Sequence, residues 1–359
     1  MKIETKVLQE AVKRVIYFAA PTSTPPVYTH FLLDTREGTL KISAFDFEGS
    51  CCWDTHCETD EIIYVTVPAK LFHGDIIGIN EETLTLSTEG NKLVVKTSRH
   101  RAKFDTLDGD QFLTPNSDYA YYEVDRHILD ALERCAVAVN TKAKLSVLGG
   151  VHLRVNNGHI EAFGTDGIRA GRYMVEFDDT HPFQITVPKK LASSIAKSAS
   201  GDGPLFLATD SNALSLKTND AIFTSQLLDG EYPKAWSFFE RSREDYTTLK
   251  VDGGAFSDAL KRAMVFSTGM EGYILLTGAD NTLTVQADNY DKGSSQVEMD
   301  ALCDTPFEIA VNVGYIYDFV TLARDVEITL WVCGKRDAIY LTGLDNYEYL
   351  TMPMEIRNR

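Results

Sequence analysis

The stretch VPKKLASSIAK at residues 187–197 is the most informative segment of the chain, because similar stretches lie at regular distances on both sides of it. VPAKLF (67–72) starts 120 residues earlier, and VNVGYIYDFV (311–320) starts 124 residues later. Pro68 and Pro188 suit the first turn of a helix, where a missing N–H costs nothing. All three stretches therefore predict the start of a helix, and their spacing indicates an internal repeat.

Three further elements repeat in the same order. The aspartates Asp46, Asp166 and Asp288 follow similar strand-like runs, 120 and 122 residues apart. A helix-like segment recurs as LQEAVKRV, LDALERCA and FSDALKRAM, and a third element recurs as RAKFDTLDGDQF, DAIFTSQLLDGEYP and DAIYLTG. A period near 120 is too long for a solenoid unit and is long enough for each copy to bury its own core. The predicted domains are residues 1–119, 120–245 and 246–359.

The pattern within one copy predicts the fold class. Asp125 and Asp252 stand where helix caps are expected, directly before apolar residues at helical spacing. Short alternating runs such as TLKISAF and HIEAFGT then predict strands, followed by the VPAK-type helix and more strands. Each copy thus reads as helix, strands, helix, strands. We predict an α+β fold in which two helices of each copy pack on antiparallel sheets.

Composition limits the class of protein. Of 359 residues, 44% are hydrophobic and 24% charged, which is typical of a folded domain and excludes a disordered or low-complexity chain. The sequence has no apolar run of the length that a membrane helix requires, and MKIETKVLQEAVKRV is not a signal peptide, so a cytoplasmic protein is expected. Asp plus Glu is 52 and Lys plus Arg is 35, giving a net charge of −17. Net charge alone does not exclude nucleic acid, since binding depends on where the charges lie.

The six cysteines do not form a disulfide framework in a chain of this length. The segment CCWDTHC (51–57) contains potential zinc ligands. A second ligand pair with zinc-finger spacing does not follow it. We therefore favour buried thiols on a strand over a metal site.

The repeated segments closely resemble the bacterial DNA polymerase III beta subunit family, the sliding clamps. The most specific matches are GTDGIRAG (164–171), IFTSQLLDGEYP (222–233) and YLTMPM (349–354), and the resemblance covers the whole chain. It implies a head-to-tail homodimeric ring around duplex DNA, with helices inside and sheets outside. It also implies a protein without catalytic residues, metal or cofactor, which tethers DNA polymerase and repair proteins to DNA and is opened by an ATP-dependent clamp loader.

Basic residues at equivalent helix positions support a DNA-facing surface inside an acidic shell. The helix 187–197 carries lysines and no acid, and Lys144 lies near Lys142 in a loop of the second copy. Contacts that position phosphates without reading bases suit a protein that must slide. Thr22, Ser146 and Val147 replace residues that contact DNA in typical members. The predicted DNA-binding residues are Lys13, Arg14, Lys142, Lys189, Lys190 and Lys197.

The resemblance also implies an apolar cleft between the second and third copies, which receives a short linear peptide. Methionine is flexible and polarizable and suits a site that accepts many ligands. An extended peptide can place apolar anchors in such a cleft while its backbone bonds to the rim. The predicted peptide-binding residues are Leu148, Thr165, Gly167, Ile168, Arg169, Ala170, Pro233, Phe238, Met352, Pro353 and Met354.

Three departures from the family pattern bear on partner choice. Ile168 replaces a common histidine, Glu355 stands where a basic residue is usual, and Arg357–Arg359 extend the tail. For ring closure, the resemblance indicates Phe112 in the first copy, and Val265 with Phe266 in the third, as the dimer interface.

Two alternatives remain open. An enzyme could use His152, His159, Asp166 and Arg169 as an acid–base site. However, a repeated turn aspartate is more often structural, and the chain has no Walker loop, GxSxG motif or paired catalytic carboxylate signature.

The second alternative is a monomer of the same fold that binds partners but not DNA. The acidity of the chain and Thr22 favour it, whereas Lys189, Lys190 and Phe112 favour the ring. The mass in solution distinguishes the two.

Overall fold

A computed structural model describes most of the chain. The described residues are 1–23, 25–113, 119–142, 146–156, 158–176, 181–267, 272–289 and 293–355.

Within these residues the chain forms six α-helices. They are α1 (Thr5–Val15), α2 (Ala69–Ile77), α3 (His127–Ala136), α4 (Lys189–Ser198), α5 (Gly253–Phe266) and α6 (Val313–Leu322). None of these helices is long and apolar enough to cross a membrane.

The same residues form 25 strands. They are β1 (Lys2–Glu4), β2 (His30–Asp34), β3 (Thr39–Phe45), β4 (Gly49–Glu58), β5 (Tyr64–Pro68), β6 (Thr83–Thr88), β7 (Lys92–Lys96), β8 (Arg101–Asp105), β9 (Leu107–Asp108), β10 (Tyr122–Val124), β11 (Gly150–Asn156), β12 (His159–Thr165), β13 (Arg169–Glu176), β14 (Phe183–Pro188), β15 (Leu205–Thr209), β16 (Ala213–Lys217), β17 (Ala221–Gln226), β18 (Thr247–Asp252), β19 (Tyr273–Ala279), β20 (Thr282–Asn289), β21 (Gly293–Cys303), β22 (Phe307–Asn312), β23 (Glu327–Val332), β24 (Ile339–Thr342) and β25 (Tyr347–Thr351).

The element order confirms the predicted α+β repeat. In every copy the first helix is followed by four strands, and the second helix is followed by three more. The first copy runs α1, β2 to β5, α2 and β6 to β8, and the other two copies follow the same order from α3 and from α5. Every strand pairing between described residues is antiparallel.

The chain divides into two compact units. The first unit is Met1–Leu129 with Lys190–Leu228, and the second unit is Asp130–Lys189 with Asp229–Arg359. The first unit holds a four-stranded sheet, β1-β6-β7-β8, and a nine-stranded sheet, β10-β15-β16-β17-β4-β3-β2-β5-β9. The second unit holds one twelve-stranded sheet, β14-β11-β12-β13-β25-β24-β23-β18-β21-β20-β19-β22.

The compact units follow continuous sheets rather than the repeat. In the first unit β4 of the first copy pairs with β17 of the second, and in the second unit β13 of the second copy pairs with β25 of the third. The strands of the second copy are therefore shared between the units. The division into three domains remains a prediction from the repeat.

The helices form where the sequence gives them a buried stripe and a cap. In α1, Leu8, Ala11, Val12 and Val15 are buried, which is the spacing of one helix face. At the start of α5, the carboxylate of Asp252 accepts a hydrogen bond from the N–H of Ala255 at 2.8 Å. This satisfies one of the backbone donors that a helix N-terminus leaves free.

The two prolines differ from the prediction by one position. Pro68 ends β5 directly before α2, and Pro188 ends β14 directly before α4, so neither lies within the first helical turn. Each is still held by strand pairing, opposite His30 and Gly150 respectively. The extended backbone of the sheet therefore reaches one residue further than the proline rule alone indicates.

Candidate functional site

A cleft of about 310 Å³ opens within the second unit, and most of the predicted peptide-binding residues line it. Its lining includes Leu148, Thr165, Gly167, Ile168, Arg169, Ala170, Pro233, Phe238 and Met352. Pro353 and Met354 follow Met352 but are not part of the lining. The structure thus brings together residues that lie up to about 200 positions apart in the sequence.

An apolar cluster adjoins the cleft and shares Ala170, Ala338 and Leu350 with its lining. It consists of Val147, Phe163, Ala170, Tyr232, Phe239, Ala338, Tyr340 and Leu350. The pairing of β13 with β25 sets Ala170 opposite Leu350, and this register fixes one wall. Next to this wall, a Cβ atom at Gly171 would lie 2.5 Å from the hydroxyl of Tyr347, so a larger residue would displace the buried Tyr347 ring.

A tight turn between β12 and β13 forms the rim. The carboxylate of Asp166 accepts hydrogen bonds from the N–H groups of Ile168 and Arg169, both at 3.0 Å. Gly167 has a φ of +89°, a conformation that glycine adopts without steric cost. The turn leaves the side chain of Ile168 49% exposed over the cleft.

Arg169 holds this turn in place rather than presenting a free charge. Its guanidinium donates to Asp166 at 3.0 Å and to Asp318 at 2.5 Å, and it lies 4.3 Å from the centre of the Tyr315 ring. Burial opposes its charge, but Tyr349 and Asp318 outweigh that effect and raise the pKa of Arg169. Arg169 therefore stays protonated and is satisfied within the protein.

The segment after β25 closes one side of the cleft. The N–H of Met352 donates to the carbonyl of Ile168 at 3.0 Å, and the N–H of Met354 donates to the carbonyl of Ala310 at 2.8 Å. The side chain of Met352 remains 38% exposed. The predicted tail Arg357–Arg359 lies outside the described residues.

Several lining residues are not among the predicted peptide-binding residues. They are Lys234, Arg241, Arg336, Asp337, Ala338 and Leu350. Leu350 precedes the MPM segment on the same strand and could have been found from strand alternation. Arg241 and Arg336 gave no such signal, because only the folded chain brings these segments to one rim.

The structure does not assemble the residues of the enzyme alternative. His152 is buried, where its Nδ1 atom lies 3.1 Å from the Thr186 hydroxyl and its ring stacks on Tyr232 at 4.7 Å. His159 begins β12 opposite Asn156, at the other end of the strand pair.

The repeated aspartates behave differently from one another. Asp46 accepts hydrogen bonds from the N–H groups of Glu48 and Gly49, as Asp166 does in its own turn. Two of the three thus have the turn role that the repeat predicts. Asp288 differs, because it lies within β20 opposite Ser294. The long hairpin of β20 and β21 extends the ladder through this position.

Three of the six predicted DNA-binding cations are occupied by contacts within the protein. Arg14 donates to the carbonyl groups of Lys197, Ser198 and Ser200 at 2.9, 3.1 and 3.0 Å, which satisfies the C-terminal end of α4. Lys190 forms an ion pair with Asp46. Lys189 donates to the carbonyl of Val139 at 2.7 Å, and burial together with the nearby Arg169 lowers its pKa.

The other three cations are exposed. They are Lys13 on α1, Lys142 after α3 and Lys197 near the end of α4. Lys197 lies 5.8 Å from the centre of the Tyr17 ring, and that ring is 45% exposed. Lys144 lies outside the described residues.

The predicted interface residues differ in accessibility. Val265 is 70% exposed at the end of α5, and Phe266 beside it is half-buried. Phe112 is only 5% exposed, because it packs on Val27, Tyr28 and Leu32 inside the first unit. Its predicted role as a partner contact remains untested, and in this structure its side chain belongs to the core.

The CCWDTHC segment lies on β4. Cys51 is buried, and burial raises the pKa of its thiol. Among the described residues no group of three His, Cys, Asp or Glu side chains is arranged to hold a metal ion.

Comparison with known proteins identifies the family. A model described as the DNA polymerase III beta subunit N-terminal domain matches residues 1–116, and a model of its central domain matches residues 124–234. The chain is 25% identical over 373 residues to a beta sliding clamp of Proteus mirabilis, covering 99% of both chains. It is 24% identical over 345 residues to that of Vibrio cholerae, covering 92% of this chain and 93% of the relative.

Solved structures show the same fold. A sliding clamp of Pseudomonas aeruginosa bound to griselimycin is 22% identical, with a TM-score of 0.79 and 99% of each chain covered. The DNA polymerase III beta subunit of Thermotoga maritima is 20% identical, with a TM-score of 0.80 and the same coverage.

Proposed function

The chain belongs to the DNA polymerase III beta subunit family, and from this premise we propose that it is a sliding clamp that closes around duplex DNA as a head-to-tail homodimer. It would tether DNA polymerase and repair proteins through the cleft lined by Leu148, Phe238 and Met352. The observation that carries this proposal is a strand pairing between copies. It occurs twice within the chain, and the third pairing that the repeat requires is not formed between the described strands.

The two pairings use equivalent strands. The third strand after the first helix of one copy pairs with the third strand after the second helix of the next copy. This describes β4 with β17, and also β13 with β25. The same rule requires β21 of the third copy to pair with β8 of a first copy.

Both strands have a side that no described strand occupies. β8 is the outermost strand of the four-stranded sheet. β21 pairs with β20 over residues 293–300, but its other side meets β18 only at residues 301–303. Unpaired edges are open to another chain. A second copy of the protein would complete both edges, since a head-to-tail contact that closes by rotation gives a ring.

The register of β4 with β17 indicates which residues would meet. Gly49 corresponds to Gly293, and Ala221 to Ala102, in the repeated segments. The register that pairs Trp53 of β4 with Ala221 of β17 can be transferred to β21 and β8. In that register Arg101 of one protomer lies opposite Glu298 of the other. A cross-strand pair of opposite charge, Arg172 with Glu348, already joins β13 to β25.

The third-copy interface candidates border this edge. A Cβ atom at Gly293, the first residue of β21, would lie 3.7 Å from the ring of Phe266. Val265 and Phe266 therefore support the assignment. Phe112 would contribute to the interface indirectly, by stabilising the core of the first unit.

Exposed cations would make the DNA contacts. Lys13, Lys142 and Lys197 are free to approach phosphates, whereas Arg14, Lys189 and Lys190 would contribute mainly by holding helices in place. Few phosphate contacts give weak binding that does not read sequence. Enclosure by the ring would then supply the persistence. We propose no catalytic activity, metal or cofactor, and a cytoplasmic location where DNA, polymerase and clamp loader are accessible.

Light scattering coupled to size exclusion, across a dilution series, tests the ring. We expect twice the 40.0 kDa of the chain. Arg101→Glu and Glu298→Arg should each weaken the dimer by at least about tenfold, because like charges would face each other. The double variant should recover most of the loss.

Lys96→Glu, on the neighbouring strand β7, controls for net charge and should leave the dimer intact. A mass that stays at 40.0 kDa over the whole series would contradict the ring and favour the partner-binding monomer. A dimer that none of the variants affects would contradict the pairing of β8 with β21.

A further inference from the structure

Three cations surround the apolar cleft of the second unit. Lys234, Arg241 and Arg336 all contribute to its lining. Asp337 is the acidic residue of the same lining, and its carboxylate accepts a hydrogen bond from the N–H of Gly334 at 3.2 Å. In a chain of net charge −17, a rim with this excess of cations is a local reversal of sign.

The cations of the rim are available to a ligand. Lys234 is exposed, and among the described residues neither Lys234 nor Arg241 has a carboxylate within ion-pair distance. The guanidinium of Arg241 lies 4.7 Å from the centre of the Phe238 ring. A guanidinium above an aromatic ring keeps its N–H groups free to donate in its own plane. Arg169 does not contribute, because Asp166 and Asp318 already neutralise it.

Arg336 has an occupant that the chain itself supplies. Its guanidinium lies 3.1 Å from the carboxylate of Glu355, one residue after Met354. The side chains are 86% and 71% exposed, so solvent screens the pair strongly. Exposed pairs of this kind contribute little and exchange easily. Glu355 therefore shows that a carboxylate can reach this part of the rim without blocking it permanently.

Resting on the proposed tethering function, we infer that the cleft selects partner peptides that carry carboxylate groups beside their apolar anchor, and that Glu355 competes with those groups for Arg336. The apolar part of the cleft binds the anchor, and the charged rim discriminates among peptides whose anchors have the same size. The carboxylates are Asp or Glu side chains of the partner, because the carboxylate that already pairs with Arg336 is the side chain of Glu355.

The size of the effect follows from the exposure of the rim. One exposed ion pair changes an affinity by about 1.4- to 5-fold. Two peptide carboxylates facing these cations should give about 3- to 10-fold in total. Salt screens the interactions between exposed charged groups. The preference for peptides with carboxylates should therefore decrease as ionic strength rises.

The experiment compares capped peptides that share a leucine–phenylalanine anchor. They carry two Asp, two Asn or two Lys beside the anchor, and a fourth peptide has the Asn flank with a free C-terminal carboxylate. Dissociation constants are measured by fluorescence anisotropy on the full chain at about 0.05 and 0.3 M salt. We expect the Asp peptide to bind most tightly and the Lys peptide most weakly, with the gap narrowing at high salt.

Variants assign the preference to the rim. Arg336→Gln and Lys234→Gln should each reduce the Asp-over-Asn ratio by about 2- to 3-fold. Glu355→Gln should raise affinity for the Asp peptide by about 2-fold, since it frees Arg336. Lys250→Gln, an exposed cation on β18, is the matched control and should change neither peptide.

The outcomes separate this inference from the proposed function. If all peptides bind equally and the rim variants have no effect, the cleft binds partners without charge selection and the inference is wrong. If only the peptide with the free C-terminal carboxylate gains affinity, the assignment to Asp or Glu side chains is wrong. If no peptide binds in the cleft, the partner-binding assignment fails and takes this inference with it.

Discussion

The cleft of the second unit and its counterpart in the first unit share a backbone pattern but differ in the side chains that occupy it. Positions 120 residues apart correspond: Tyr28 with Leu148, Phe45 with Thr165, Phe47 with Gly167, and Phe112 with Tyr232. In the second unit Leu148, Thr165 and Gly167 line a cleft of about 310 Å³, and Tyr232 belongs to the apolar cluster beside it. In the first unit aromatic rings fill the equivalent place.

The aromatic filling is tightly packed. The rings of Tyr28 and Phe47 lie 4.1 Å apart, and Phe45 lies 5.4 Å from Tyr28 and 5.7 Å from Phe47. Phe47 has a φ of +70°, in the region where glycine is favoured and a bulky residue is strained. Gly167 occupies the same conformation with no side chain. The volume of a few side chains, on one shared framework, thus decides whether the site is core or cleft.

The largest expected difference between the two regions is the loss of stability at low pH, because each region has a buried histidine near it. His152 lies opposite Thr186 and contacts its hydroxyl and the Tyr232 ring, whereas His30 lies opposite Pro68 and contacts the hydroxyl of Thr66. Burial lowers the pKa of both, to about 4 for His152. The unfolded chain binds the proton near pH 6.5, so stability is lost as the pH falls from 6.5 to 4. We expect the second unit to lose about 2.5 kcal/mol between pH 7.5 and 4.5, which urea unfolding at these two pH values measures.

The variants His152→Gln and His30→Gln separate the two histidines in this test. His152→Gln should remove more of the acid sensitivity than His30→Gln. Equal acid sensitivity in wild type and His152→Gln would show that other groups are responsible.

Filling the cleft should abolish the difference between the regions. Leu148→Tyr with Gly167→Phe copies the aromatic residues of the first unit, and space exists because a Cβ atom at Gly167 would have no neighbour within 4 Å. Blocking an apolar anchor should reduce peptide affinity by about 30-fold or more. The backbone strain should cost about 1–2 kcal/mol of stability. Peptide titration measures the first effect, and the dimer mass should not change.

Leu148→Met is the matched control for this loss, since it conserves volume, and should change the affinity by less than about threefold. If the filled variant binds peptide as well as wild type, the cleft is not the binding site.

Opening the aromatic region should have the smallest effect. Phe47→Gly removes a half-exposed ring but also relieves the positive φ, so the two contributions oppose each other. We expect stability to change by no more than about 1 kcal/mol, measured by the urea midpoint. Peptide binding should not appear at this site, because Tyr28 and Phe45 still fill it. A large loss of stability would show that the Phe47 side chain contributes to the core of the first unit.

Much of the fold could be predicted because the relevant signals are local and repeated. The Asp252 cap and the apolar stripe of α1 each depend on residues a few positions apart, and the structure confirms both. The one-residue error at Pro68 and Pro188 arose because strand pairing, which is not local, extends the sheet to the helix start.

The cleft was predicted only in part for the same reason. Motifs carried over from the family gave Leu148, Ile168 and Met352, which line the cleft. Arg241 and Arg336 lie outside those motifs. Their place at the rim depends on how separate strands and turns converge.

The sequence by itself determined the α+β class and the family, since these rest on a repeated pattern and on motifs of contiguous residues, and the resemblance supplied most of the residues that line the cleft. Only the tertiary structure decided which charges and rings are accessible. Arg14 is taken up by carbonyl groups at the end of α4, Lys190 by Asp46, and Phe112 by the core of the first unit. Exposure and ion pairing depend on neighbours that are distant in sequence, and pattern alone does not specify those neighbours.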